Sequence, residues 1–448
     1  MPTGAESWCI FHSLVRFVFR PLSASMAEDR YPDSLWRAPF GSIPLFDWPN
    51  SLTYISVASS FLHRRAQSDH RSRGRSESLR KVINVTVSPE TVVYYITPHG
   101  FGHAVRSLEI IRNLLIIAPS LDVVVVSDIP SFLIEENVGF MLPYRRKQVD
   151  IGLVQLDSLR FDLATTRSRL EAMRDTHDEL IKEEVAFLAS VGATAVVSDI
   201  AFLPFHAAKA LGIPGIGIGN FTWDWVYSYY ARSDPEWTPL VEWTRSGYRK
   251  AELFLQLPMH GNCSVFERIE QVPLVARHAR LSHEEARRSL GITTDQRAYL
   301  IAFASLDLDR QALARLEAIE ETAFLFKQPL RYHLRNGVSL DSHGLSYADV
   351  VGAVNAVITK PGYGIVSDCL AHRTPMIYCD RGDFPEYPIL VEAMEAHLPT
   401  VYMPSRDLVE GRWEKAVQSI HATPSPEAPL RTDGARVCAE RILRLLTQ

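Results

Sequence analysis

Two doubly wound α/β domains in tandem are what this 448-residue sequence predicts. Three observations carry that expectation. Short apolar runs alternate with amphipathic stretches, the alternation comes in two series, and each series contains a strand that ends in a glycine-rich turn.

The first series opens at TVVYYI, residues 91–96, followed by the amphipathic AVRSLEIIRNLLIIA. DVVVVS at 122–127, a long charged helix around 164–190, TAVVS at 194–198, a helix after Phe202 and IPGIGI at 213–218 continue it. The glycines of PGIGIGN, 214–220, lack the Lys-Ser/Thr of a phosphate loop, so they are expected to permit close strand packing. The second series starts after SHEEARRSLGI, where Ser282 and Glu285 spell a capping box and Gly291 a C-terminal stop. It runs through AYLIAFA at 298–304, a helix at 309–320, TAFLF, a helix near 346–353, AVIT at 356–359 and PMIYC at 375–379. Rossmann-like domains over 89–275 and 276–410 follow, with helices in 411–448 packing near the junction.

Residues 1–88 read differently. MPTGAESWCIFHSLVRFVFRPLSASM is acid-poor and mildly amphipathic, open to readings as a transit peptide, an irregular or disordered extension, or a segment upstream of initiation at Met26. HRRAQSDHRSRGRSESLRK at 63–81 is expected to be a flexible linker.

Composition excludes several classes. A net charge of −5 gives no basic excess for nucleic acid, and no apolar run reaches the roughly 18 residues of a membrane span. The five cysteines are scattered with no CxxC pair, so neither a disulfide framework nor a zinc site is expected, and a reducing, cytoplasmic compartment fits. No cofactor is expected, and the oligomeric state is not encoded in any visible pattern.

Two turns carry the chemistry. TPHGFGHAVRS, 97–107, ends the first strand with His99, Gly100, Gly102 and His103. Glycines there let a ligand approach the backbone, and the N-terminus of the next helix favours negative charge. The spacing is not the dinucleotide fingerprint, because Val105 stands where a third glycine would be. TKPGYGIVSDCLA, 359–371, is the same type of turn in the second series: Gly362 and Gly364 open space, Lys360 adds a cation, and Ser367 and Asp368 fall on the helix's first turns. A diphosphate on the free amides, with Asp368 accepting from ribose hydroxyls, suits that pattern.

These stretches, with GNFTWDWVYSYY, QVPLVARHAR and ITKPGYGIVSDCLAHRTPMIYCDRGDFPEYPIL, give residues 91–412 a resemblance to a family. The chain resembles the GT-B glycosyltransferase-like domain at the N-terminus of plant L-arabinokinases and its stand-alone microbial relatives. The resemblance implies two domains facing across a cleft, a nucleotide-sugar donor on the C-terminal side, an unknown acceptor on the N-terminal side, and no kinase activity. His103 matches the histidine that takes the acceptor's proton; His99 is a second candidate base or an orienter of the loop, and helix capping is open to both. Lys360, Gly362, Gly364, Ser367 and Asp368 match the donor turn, with Asp368 one methylene shorter than the family's glutamate.

Arg381, Asp383 and Glu386 in CDRGDFPEYPIL stand where donor-sugar contacts occur, with surface charge the alternative. On the acceptor side the candidates are Gly100, Gly102, Asn220, Trp223 and Asp224, with anchoring the alternative for one tryptophan. Relatives carry a glycine pair where this chain has Ala304 and Ser305, which puts donor binding in question. Asp307 and Asp309 spell a D-x-D, but metal is not expected. The function implied is glycosyl transfer from a UDP-sugar; the alternatives are non-catalytic binding of a sugar nucleotide or carbohydrate, or a nucleotide-sugar epimerase or hydrolase.

Overall fold

The computed structural model describes residues 90–156, 160–426 and 430–447. The extension, with its transit-peptide and linker readings, lies outside the described residues.

Two all-parallel sheets are present among the described residues. The first has the order β3-β2-β1-β4-β5-β6-β7. Its strands are β1 (Thr91–Ile96), β2 (Asp122–Ser127), β3 (Tyr144–Arg146), β4 (Ala195–Asp199), β5 (Gly215–Gly219), β6 (Leu253–Gln256) and β7 (Ile269–Gln271). The second has the order β10-β9-β8-β11-β12-β13. It comprises β8 (Arg297–Ala302), β9 (Thr322–Phe326), β10 (Gly337–Ser339), β11 (Ala356–Thr359), β12 (Met376–Tyr378) and β13 (Thr400–Tyr402). In both, the first strand of the series lies between the second and fourth, so the strand order reverses there. The turns after β1 and β11 each lie at such a switch point.

β1 is buried along its whole length, as a strand with helices on both sheet faces must be. Gly215, Gly217 and Gly219 do serve packing: a Cβ on them would meet Phe205 at 2.9 Å, Phe254 at 2.8 Å and Ile200 at 2.5 Å. The Ser282/Glu285 capping box forms, and Gly291 takes φ +70° just past that helix. The long charged helix is two helices, Leu163–Asp175 and His177–Ser190, meeting at Thr176. Asp178 and Glu179 complement the new N-terminus, which explains why the continuous polar pattern did not reveal the break.

The helix Gly434–Leu446 packs on the helix Phe101–Ile117, so the chain's end returns from the second sheet to the first. Gly434 makes this possible, its amide donating to Leu274 at 3.1 Å where a Cβ would sit 2.1 Å from the Pro273 oxygen. One apolar cluster, including Leu108, Leu300, Val366 and Ile442, joins the sheets through these helices.

Candidate functional site

His103 sits in the first turns of the helix Phe101–Ile117, directly after β1, and Asp199 is the last residue of the neighbouring β4. Strand pairing therefore brings together groups 96 residues apart, with His103 Nδ1 2.8 Å from Asp199 Oδ1. Asp199 is fully buried and accepts from Arg106 twice, Nε and Nη2 each at 2.7 Å, and from Ser107 Oγ at 2.9 Å. Burial alone would raise its pKa, but Arg106 and His103 outweigh burial and hold the carboxyl far below the usual range.

An ionised carboxylate beside Nδ1 requires the proton on Nδ1, which leaves the lone pair on Nε2. Arg106 Nη2 lies 2.9 Å from the same Nδ1. Both are donors in this tautomer, and Asp199 is their common acceptor. No described residue hydrogen-bonds Nε2. Burial, then Arg106, lower the His103 pKa below its ordinary value while Asp199 pulls it back up. That direction favours the neutral imidazole, the state a proton acceptor needs.

The network continues into the second half of the chain. Arg106 Nη1 donates to Asn220 Oδ1 at 2.7 Å, and Asn220 Nδ2 donates to Glu386 Oε1 at 2.6 Å. Glu386 Oε2 accepts from Arg381 at 2.6 Å, and the Arg106 guanidinium lies 5.0 Å from the Tyr363 ring centre. Asn220 and Glu386 are 0% and 1% exposed, so both hold the halves together rather than facing solvent. The two glycine turns themselves touch: a Cβ on Gly364 would lie 2.8 Å from Gly102 Cα, and one on Gly102 3.3 Å from the Gly364 amide.

His99 belongs to a second pair. Its Nε2 is 3.3 Å from Asp150 Oδ1, neither atom completing a hydrogen bond, while Trp223 Nε1 donates to Asp150 Oδ2 at 3.0 Å. Gly152, at φ +59°, lies beneath the His99 ring, where a Cβ would fall 2.3 Å from it. Trp223 is 2% exposed and stacks on Tyr227.

Across the contact the candidate donor groups are occupied. Asp368 accepts from the Arg277 amide at 3.0 Å and from Arg277 Nη2 at 2.5 Å. Ser367 Oγ donates to the Tyr363 carbonyl at 2.7 Å. Lys360 is half-buried, and Arg381 also donates to the Pro361 carbonyl. Asp383 accepts from Tyr229 OH at 2.6 Å. Asp224 is buried, which raises its pKa, and is held by Arg245 Nε at 3.1 Å.

Gly100 is exposed at φ +90°, opening the turn. Asp309 caps the helix Arg310–Glu317 by accepting from the Ala312 amide at 2.7 Å, and among the described residues no group of three or more His, Cys, Asp or Glu could hold a metal.

Asp199, Arg106, Asp150, Gly152 and Arg277 were not singled out from the sequence. A carboxylate closing a buried strand, as in VVSD, was the available signal for Asp199. For Arg277 there was none, since its partner lies 91 residues away.

A UDP-glucosyltransferase from Polygonum tinctorium capable of glucosylating indoxyl, in complex with 3,4-dichloroaniline, superposes over 81% of this chain and 100% of its own at TM-score 0.52 and 16% identity. The chain has the GT-B fold. Phytolacca americana UGT2, complexed with UDP-2fluoro-glucose and pterostilbene, matches 80% of this GT-B chain and 94% of its own at TM-score 0.50 and 13% identity. In sequence, L-arabinokinase of Arabidopsis thaliana is 31% identical over 332 residues, 71% of this chain. The GT-B chain spans 31% of the length of that protein. No protein-family model matches it. No helix among the described residues is long and apolar enough to cross a membrane.

Proposed function

We propose that the protein transfers a sugar from a UDP-sugar to an acceptor hydroxyl, with His103 as general base. The observation that carries the reading is the His103–Asp199 pair at the switch point of the first sheet, with no described residue hydrogen-bonded to Nε2. In the reaction His103 Nε2 takes the hydroxyl proton as the acceptor oxygen bonds to the anomeric carbon. The bond from that carbon to the diphosphate breaks, UDP leaves with the electron pair, and Asp199 stabilises the imidazolium.

The donor side rests on the helix N-terminus at Gly362–Gly364, Lys360 and Arg381, by analogy with the UDP-glucosyltransferase of Polygonum tinctorium and the Phytolacca americana UGT2 complexed with UDP-2fluoro-glucose. Gly102 covers the Gly364 amide, so a diphosphate on that amide requires the turns to part. A cytoplasmic setting accords with Cys263, Cys369, Cys379 and Cys438 being free and buried.

A second reading, carbohydrate binding without transfer, is favoured by one observation: both carboxylate oxygens of Asp368, the candidate ribose ligand, already accept from Arg277. Thermal-shift titration with UDP, GDP and dTDP and their sugars tests the donor half. A ligand selective for the folded state raises its midpoint, by about 2.7 kcal/mol of stability at 100 times Kd. A shift with UDP and UDP-sugars supports the proposal, and no shift with any nucleotide overturns the transfer reading.

A further inference from the structure

Two adjoining clefts of about 480 and 460 Å³ share Trp225 and Arg232. The first runs between the helix Trp223–Ala231 and residues 382–388 of the second half of the chain; the second is lined by Arg245 and Arg249 from the helix Thr238–Tyr248 and its cap.

Trp225 is half-buried, unlike Trp223, and its indole lies flat against Gly261, where a Cβ would meet the ring at 2.7 Å. That backing holds the indole in place as a platform. Tyr229 is tied across the cleft to Asp383, which fixes the wall between the two halves.

The acids around the clefts are already engaged. Asp224 is taken by Arg245, and Glu242 accepts from Arg245 at 2.6 Å and meets Arg249 only at 3.5 Å. Asp383 is satisfied by Tyr229. Arg232, shared by both clefts, forms no ion pair among the described residues, its guanidinium lying 5.8 Å from the Tyr229 ring centre.

We infer that this double cleft binds an anionic saccharide, one bearing a phosphate or carboxylate, with a sugar face on Trp225 and the anion on Arg232 and Arg249. An aromatic plane beside an arginine without a counter-ion recognises both features at once. The inference deepens the acceptor half of the proposed transfer and rests on that reading, but its test reads binding alone.

Calorimetric titration of the full chain with glucose 6-phosphate, glucuronate, glucose and inorganic phosphate provides that test. Both anionic sugars, or one of them, should bind at least about tenfold more tightly than glucose, the worth of one charge-assisted contact. Preference for glucose 6-phosphate assigns the anion as phosphate, and preference for glucuronate assigns it as carboxylate. Arg232→Gln, an exposed change that leaves the core intact, should remove the advantage, and Trp225→Ala should weaken every sugar.

Glucose binding as tightly as the anionic sugars, inorganic phosphate binding as tightly as the sugar phosphate, or no saccharide binding would each overturn the inference. UDP titrated into the same preparation reports on the donor half separately, so the two failures are distinguishable.

Discussion

The turns after β1 and β11 are built alike, a buried strand, two glycines and a helix N-terminus, yet they offer different chemistry. In the first, Arg106, Ser107 and His103 converge on Asp199 and leave one imidazole nitrogen without a described partner. In the second, Asp368 is spent on Arg277 and Ser367 on a carbonyl, while Arg381, in the loop after β12, is spent on Glu386. Backbone topology thus provides the place, while partners from distant strands decide whether a side chain is free to react.

The largest expected effect lies in the first turn. Asp199→Ala strands a buried Arg106, and should cost about 3 to 5 kcal/mol in denaturant unfolding. Were the cost small, the cluster would be a loose surface network and the contrast between the turns would fail.

Breaking the second turn's ion pair comes next. Arg277→Met leaves Asp368, 2% exposed, without its cation, and should cost about 3 kcal/mol. Adding Asp368→Asn should recover much of that loss. Additive costs in this double-mutant cycle would show that Asp368 is not held by Arg277.

The contact between the turns can be tested by glycine substitution. Gly364→Ala puts a Cβ 2.8 Å from Gly102 Cα and should cost about 1 to 3 kcal/mol, whereas Gly362→Ala meets nothing within 4 Å. Equal thermal midpoints for the two variants would mean that the turns do not touch.

The smallest effect is on pH dependence and involves His206, T-shaped against His177 at 4.7 Å. Burial, then His177 and Lys250, lower its pKa to about 4. Its unfolded form binds a proton near its ordinary pKa while the folded form does not, so stability is full above about pH 6.5 and declines as pH falls toward 4. His206→Gln should flatten the unfolding midpoint over that window.

Much of this was legible in the sequence. TVVYYI, DVVVVS, TAFLF and AVIT are strands with the bounds their apolar runs suggest, and both glycine turns stand at switch points. Short edge strands such as β3 and β13 were not legible, because three residues carry no period. The His103 cluster was half legible: His103 announced itself beside two glycines, but Asp199 and Arg106 read as an ordinary strand end and helix face. Only the pairing of β1 with β4 makes them neighbours. Trp223 and Trp225 are two residues apart in one motif, and composition could not show that the helix buries the first and leaves the second half-open.

The central claim, that His103 accepts the acceptor's proton, is tested most directly by measuring UDP release from a UDP-sugar across an acceptor panel for the wild type and His103→Ala, with UDP affinity measured alongside. The account predicts turnover down by about 10² to 10⁴ with UDP affinity unchanged, and an acid limb in the wild-type profile below the ordinary histidine pKa. Turnover in His103→Ala equal to that of the wild type would contradict it.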